Sequence, residues 1–197
     1  MCGRFYIESD DTPDELMSML KRADELLART LPDQRLPRGE VRPGDIAAVI
    51  SLNRKQQQIV FPMRWGYQHG RKLIINARSE TASERPMFRQ SFIQRRCLIP
   101  ASAYFEWDHR SSRPEKLCFR HLLSSTLYIA GLYRYDSLNT LPEFTILTRS
   151  AAEHLAVFHD RMPVILPPEA HAQWLDPNAN PSELLSRAIS EITYQSA

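Results

Sequence analysis

Residues 97–107 read Cys97-Leu98-Ile99-Pro100-Ala101-Ser102-Ala103-Tyr104-Phe105-Glu106-Trp107. Two runs of β-branched, aromatic and small apolar residues, Cys97–Ile99 and Ala103–Trp107, flank a short break, and both read as strands. Working outward, Lys116–Arg120, Leu127–Tyr133 and Glu143–Leu147 repeat the signal downstream. Upstream, Ile46–Leu52 and Gln58–Met63 form a strand pair joined through the polar turn Asn53–Gln57, and Gly3–Ile7 gives a short strand at the start. Leu73-Ile74-Ile75 reads as a buried strand ending at Asn76-Ala77-Arg78, and Met162–Leu166 as a strand bounded by prolines. Helical signals sit mostly at the two ends. Asp11–Glu15 is a helix start, and Leu16, Met19, Leu20, Ala23, Leu26 and Leu27 follow at helical spacing. Ser79 with Thr81–Glu84 reads as a helix entry, and Met87–Gln94 as a short helix. Ser150–Phe158 has Ser150 and Glu153 at capping-box spacing, and Pro168–Leu175 and Pro181–Ser190 each begin with proline. Leu31–Gly44, with three prolines and two glycines, reads as a loop. Strands in the middle and helices at the ends predict an α+β fold: a mostly antiparallel, barrel-like sheet core with flanking helices.

The chain of 197 residues suits one domain, 1–197, without repeats or a linker. Hydrophobic residues at 43% and charged residues at 24% exclude a largely disordered chain. No apolar run approaches the roughly 20 residues that span a bilayer. Three scattered cysteines, Cys2, Cys97 and Cys118, are too few for a disulfide framework or a zinc site. The expected setting is a reducing cytoplasm, with no membrane, metal or cofactor and a monomeric chain. The formal charge of +2 conceals a segregation. Residues 54–120 hold 14 Lys and Arg against five Asp and Glu, while the remainder is acidic. Of the 25 basic residues only four are lysines, so the cations are chiefly planar guanidinium forks suited to phosphate. A basic middle on an acidic frame suits an anionic partner such as nucleic acid.

Four places can carry chemistry. Removal of Met1 before a small residue turns Cys2 into an N-terminal cysteine with amine and thiol on adjacent carbons. Their ordinary pKa values, about 7.7–8.0 and about 8.5, leave both partly nucleophilic near neutrality. Such a group closes a thiazolidine on an aldehyde, or serves as the nucleophile of an amide hydrolase. Glu106 lies inside an aromatic strand, on one face with Tyr104 and opposite Phe105 and Trp107. Apolar surroundings raise a carboxyl pKa and suit it to acid–base work. His159, in Phe158-His159-Asp160-Arg161, is a proton carrier near neutrality. Asn76 and Arg78 end a strand, where an amide and a guanidinium can meet a ligand. Each feature alone also fits an ordinary surface, capping or core role.

Met1-Cys2-Gly3-Arg4-Phe5, Asn76-Ala77-Arg78-Ser79-Glu80-Thr81, Arg96–Pro100 running into Phe105-Glu106-Trp107, and His159-Asp160-Arg161-Met162-Pro163 occur in one order and spacing. This pattern, over roughly residues 2–175, resembles the SRAP family of abasic-site-processing proteins, also called SOS-response-associated peptidases. The resemblance implies loss of Met1 by the protein's own activity, binding to single-stranded DNA, and a thiazolidine crosslink with the abasic-site aldehyde. It implies Cys2 as nucleophile, Glu106 in Met1 removal and proton handling at the amine, and His159 as acid–base for sugar-ring opening. It further implies Asn76 positioning the amine or sugar, Arg4, Arg78, Arg85 and Arg161 on phosphates, and Trp65 and Trp107 lining the site or stacking on a base. Cys97 and Cys118 read as structural. There are two departures. Glu40 stands where the family usually has asparagine, and Gln68-His69-Gly70-Arg71 follows Trp65-Gly66-Tyr67 in place of a proline and second aromatic. An N-terminal-nucleophile peptidase and a non-catalytic single-strand binder remain the rival readings.

Overall fold

The computed structural model describes residues 2–8, 14–136 and 139–197. In chain order the elements are β1 (Arg4–Ile7), α1 (Asp14–Thr30), β2 (Gly39–Val41), β3 (Ile46–Leu52), β4 (Gln58–Trp65), β5 (Tyr67–His69), β6 (Lys72–Ile74), β7 (Asn76–Arg78) and α2 (Pro86–Gln94). They continue as β8 (Arg96–Ala101), β9 (Ala103–Asp108), β10 (Glu115–His121), β11 (Leu127–Arg134), β12 (Glu143–Ser150), β13 (Arg161–Pro163), α3 (Pro168–Leu175), α4 (Pro181–Leu185) and β14 (Ile192–Ser196). The α+β reading stands: the sheets are mostly antiparallel and the helices few.

Ser102 separates the two strands of the 97–107 segment and sends them into different sheets. β8 pairs with β11 and β3 in a seven-stranded sheet ordered β11-β8-β3-β4-β12-β13, with β7 beside β12. β9 enters a five-stranded sheet, β14-β10-β9-β1-β2. The core lies between these sheets. Phe5, Trp65 and Phe144 meet there, with ring centroids 5.1 and 6.2 Å apart. α1 buries Leu16, Leu20, Ala23 and Leu27 and packs against β3 and β4, as its apolar spacing requires.

Strand alternation in β9 divides its side chains as expected. Tyr104 and Glu106 turn into the interior, while Phe105 joins Ala103, Cys118, Tyr6 and Trp107 in a second cluster on the other face of the small sheet. Cys97 is fully buried and Cys118 nearly so.

Several boundaries differ from the sequence reading. The 31–44 loop contains β2, whose pairing Phe5↔Val41 completes the small sheet. Leu73–Ile75 is half-buried rather than buried. The chain there splits into β6, which pairs with β5, and β7, which runs parallel to β12. Residues 79–84 form turns, not a helix, and α2 begins at Pro86. Ser150 is the last residue of β12 and caps nothing, and 153–158 are turns. The β12 ladder to β13, Ser150↔Arg161, claims its backbone. The strand expected over 162–166 narrows to β13, and α4 ends at Leu185. The helix-start residues Asp11, Thr12 and Pro13 lie outside the described residues. Among those described, no helix is long and apolar enough to cross a membrane.

Candidate active site

Cys2 precedes the edge where β1 pairs with β9, at Arg4↔Phe105, and the Glu106 carboxylate is near enough for its charge to act on the Cys2 thiol. Asn76, the first residue of β7, donates from Nδ2 to the Cys2 carbonyl at 3.0 Å. The contact links two sheets through residues 74 positions apart. Cys2 is fully buried; that burial and the Glu106 carboxylate push its thiol well above the ordinary range. With Met1 in place the thiol is therefore overwhelmingly protonated near neutrality, and a poor nucleophile.

Glu106 is 7% exposed. Burial raises its pKa against the lowering effect of the N-terminal ammonium, and the Asp160 charge adds a smaller rise that ties β9 electrostatically to the 159–160 turn. A carboxyl whose pKa is raised in this way takes up a proton more readily than an exposed one, which suits acid–base work. His159 moves the other way: burial lowers its pKa, opposed by Asp160 and assisted by Arg161. Its Nδ1 accepts from the Arg161 N–H at 2.9 Å. The same nitrogen lies 2.8 Å from Asp160 Oδ1, so it accepts from Arg161 in one tautomer and donates to Asp160 in the other. The acid and the base thus have their pKa values drawn toward each other, from opposite sides.

A cavity of about 440 Å³ opens beside Asn76, lined also by Ala77, Arg78, Thr81, Arg85 and Phe88. Arg78 and Arg85 are exposed at its rim. Arg161 is held differently. Its fork grips Glu80 through two 2.7 Å bonds and donates to the Thr148 carbonyl at 2.6 Å, and its side chain is 10% exposed. Arg161 and the surrounding hydrogen bonds hold Glu80 at a pKa of about 2. In this arrangement Arg161, on β13, braces β12 and the turn after β7 and offers no free face to a phosphate.

Arg4 is also occupied. It pairs with Glu40 at 2.5 Å and lies over Trp107, 5.0 Å from the ring centroid. Glu40 additionally binds Arg42 at 3.1 Å and the Lys116 ammonium, which sits 3.8 Å from the Phe105 centroid. Burial would raise the Glu40 pKa, but Lys116, Arg4 and Arg42 together bring it down to about 2. One carboxylate thus gathers three cations on an aromatic sheet face, and the face remains positive.

Trp65 corrects the sequence reading. It is wholly buried between Phe5 and Phe144, and its indole N–H donates to the Ile75 carbonyl at 3.0 Å, so it is core and not a surface for a base. Trp107 is half-exposed beside Arg4. The structure brings Cys2, Asn76 and Glu106 into one cluster with the 159–160 turn at its border. The sequence reading gave no role to Glu80 or Lys116. Glu80 falls inside the Asn76–Thr81 motif, but its pairing with a residue 81 positions away left no local signal.

The family model for SOS response associated peptidase (SRAP) matches residues 1–196. An abasic site processing protein of Bacillus subtilis, YoqW, is 34% identical, over 94% of this chain and 85% of its own length. The Escherichia coli abasic site processing protein YedK is 27% identical, over 98% and 85%. Among solved structures, a protein of Bacteroides thetaiotaomicron superposes with a TM-score of 0.77 at 20% identity, over 99% of this chain and 91% of that one. A phage-related protein of Bordetella bronchiseptica gives 0.74 at 24% identity, over 100% and 94%. These two share the fold.

Proposed function

This chain belongs to the SRAP family, and we propose that it captures abasic sites in single-stranded DNA through Cys2 after loss of Met1. The observation that carries the reading is the placing of Cys2 against Glu106 with its carbonyl held by Asn76. The named relatives process abasic sites, which supports the substrate.

The chemistry follows from a free amine and thiol on one residue. The amine adds to the C1 aldehyde of the ring-opened sugar, and the carbinolamine expels water to give a Schiff base. The thiol then adds across the C=N bond, sulfur to carbon and proton to nitrogen, closing a five-membered thiazolidine. One water leaves overall, and no oxidant or reductant is needed. Because the amine attacks first, a thiol of high pKa is less of a handicap than in a thiolate hydrolase. Removal of Met1 also places an ammonium beside the thiol, and a neighbouring positive charge lowers a thiol pKa. Glu106 accepts the proton that the amine must lose and assists the cleavage that releases Met1. His159 serves ring opening as the acid–base group. Asn76 fixes the residue 2 backbone. Arg78 and Arg85 at the cavity rim, with Arg4 and Trp107 on the small sheet, meet the strand; phosphate on Arg161 requires exchange with Glu80. The whole chain acts as one domain and one copy.

The test is a denaturing gel of wild type, Cys2→Ala, Cys2→Ser and His159→Ala against abasic and intact oligonucleotides, with intact-mass measurement of Met1. Wild type should lack Met1 and form a heat-stable adduct with abasic DNA only. Cys2→Ala should give at most a borohydride-trappable adduct, and His159→Ala should be slower by about 10²–10⁴-fold. A stable adduct formed equally well by Cys2→Ala sinks the mechanism.

A further inference from the structure

A larger cavity, about 620 Å³, lies away from Cys2 and is lined by Leu52, Arg54, Lys55, Phe61, Tyr133 and Tyr135, among others. It shares no lining residue with the cavity beside Asn76. The two are joined by α2. Pro86, Met87 and Phe88 line the first cavity and Gln94 lines the second, so the helix spans about 12 Å between them at 1.5 Å per residue. Arg85, Arg89 and Ile93 are exposed at four-residue spacing and form one face of this bridge.

The path is predominantly basic, with Glu84 beside Arg85 and Asp136 beside Tyr135 as the acids next to it in the chain. The sequence has no Asp or Glu between Asp45 and Glu80, or between Glu84 and Glu106. Arg54, Lys55, Arg78, Arg85, Arg89 and Arg95 make no ion pair among the described residues. In contrast, Arg4, Arg42, Lys116 and Arg161 are all matched to Glu40 or Glu80. At the far end Tyr135 is 65% exposed, edge-on to Tyr133 at 5.9 Å, with the Arg95 guanidinium 6.0 Å from its centroid. An exposed ring among free cations, at the end of a cationic track, is what a base and its phosphates require.

We infer that a single DNA strand held at the Cys2 site runs along α2 and is anchored a second time, with a base on Tyr135 and phosphates on Arg54 and Lys55. This rests on the single-strand reading above and extends it to the footprint of the bound strand. The strand is the occupant because phosphate charge complements the whole path and not only its end.

The test measures binding to single strands carrying a non-reactive tetrahydrofuran abasic analogue, lengthened on the 5′ or the 3′ side in separate series. One series should show a rise in affinity once the strand reaches the distal cleft. Tyr135→Ala combined with Arg54→Ala and Lys55→Ala, all at exposed positions, should abolish that rise. The loss expected for one stacked base is about 5- to 100-fold. The slope of log K against log salt should become shallower by about 1.4, for two phosphates at about 0.7 each. Short strands should bind both proteins alike, and the adduct yield with aldehyde-bearing abasic DNA at saturating protein should be unchanged. A variant that follows wild type at every length, or loses equally at every length, overturns the distal anchor. Wild type that forms no adduct refutes the capture chemistry instead, and the length series still decides the anchor.

Discussion

Replacing Glu40 by glutamine keeps the side-chain shape and removes the one charge that holds Arg4, Arg42 and Lys116 together. Two effects of opposite sign should follow. The depressed pKa, about 2 against an ordinary 4.5, means that the ionised form stabilises the fold. That contribution is fully present above the unfolded value and disappears as pH falls from about 4.5 to about 2. Unscreened, the shift corresponds to about 3 kcal/mol. The cluster lies at the surface, though, with the Arg42 side chain 64% exposed, and exposed pairs deliver about 0.2–1 kcal/mol each. Glu40→Gln should therefore lose about 1–2 kcal/mol in urea unfolding at pH 7 and no stability relative to wild type below pH 2. DNA binding should change the other way. Three cations against one carboxylate become three cations unopposed. If one or two of them reach phosphate, the salt slope on single-stranded DNA steepens by about 0.7–1.4. Fluorescence anisotropy over a potassium chloride series reads both affinity and slope. An unchanged or shallower slope, with the stability loss present, would show that Glu40 aims these cations at the strand instead of withholding them.

Arg96 is 3% exposed, makes no ion pair among the described residues, and donates to the carbonyls of Phe92, Ile93, Trp174, Asp176 and Ala179. It thereby closes the ends of α2 and α3. Arg96→Met orphans these acceptors at about 1–3 kcal/mol for each that water does not reach. We expect a loss of about 4 kcal/mol and a Tm lower by about 8–16 °C in calorimetry; a Tm within 2 °C of wild type would refute the capping role. Glu106→Gln should separate stability from chemistry. A carboxyl with a raised folded pKa costs stability as pH rises above the unfolded value, so the variant should resist urea at least as well as wild type at pH 8, with any advantage fading toward pH 4. Adduct formation should nevertheless slow, and a variant that is both less stable and fully active would contradict the burial of a proton-handling carboxyl.

The sequence by itself determined the strands of the middle, because alternation and β-branching are local properties of Ile46–Leu52 or Leu127–Tyr133. It also determined that Glu106 shares a face with Tyr104, since a strand's faces alternate whatever sheet it joins, while the fold decided that this face turns inward. The order of the four motifs identified the family, and the match over residues 1–196 bears that out. Tertiary structure decided what depends on partners distant in the chain. Ser150 carries a capping signal, yet it ends β12 because its ladder to Arg161 supplies the backbone bonds a helix would have made. Trp65 looks like a base-stacking residue, yet Phe5 and Phe144 enclose it. Glu40 looks like a repulsive charge, yet three cations from β1, β10 and the segment after β2 converge on it. Charge, unlike alternation, has no meaning until the fold fixes which side chains share a face, and this is why the paired and unpaired arginines could be told apart only in three dimensions.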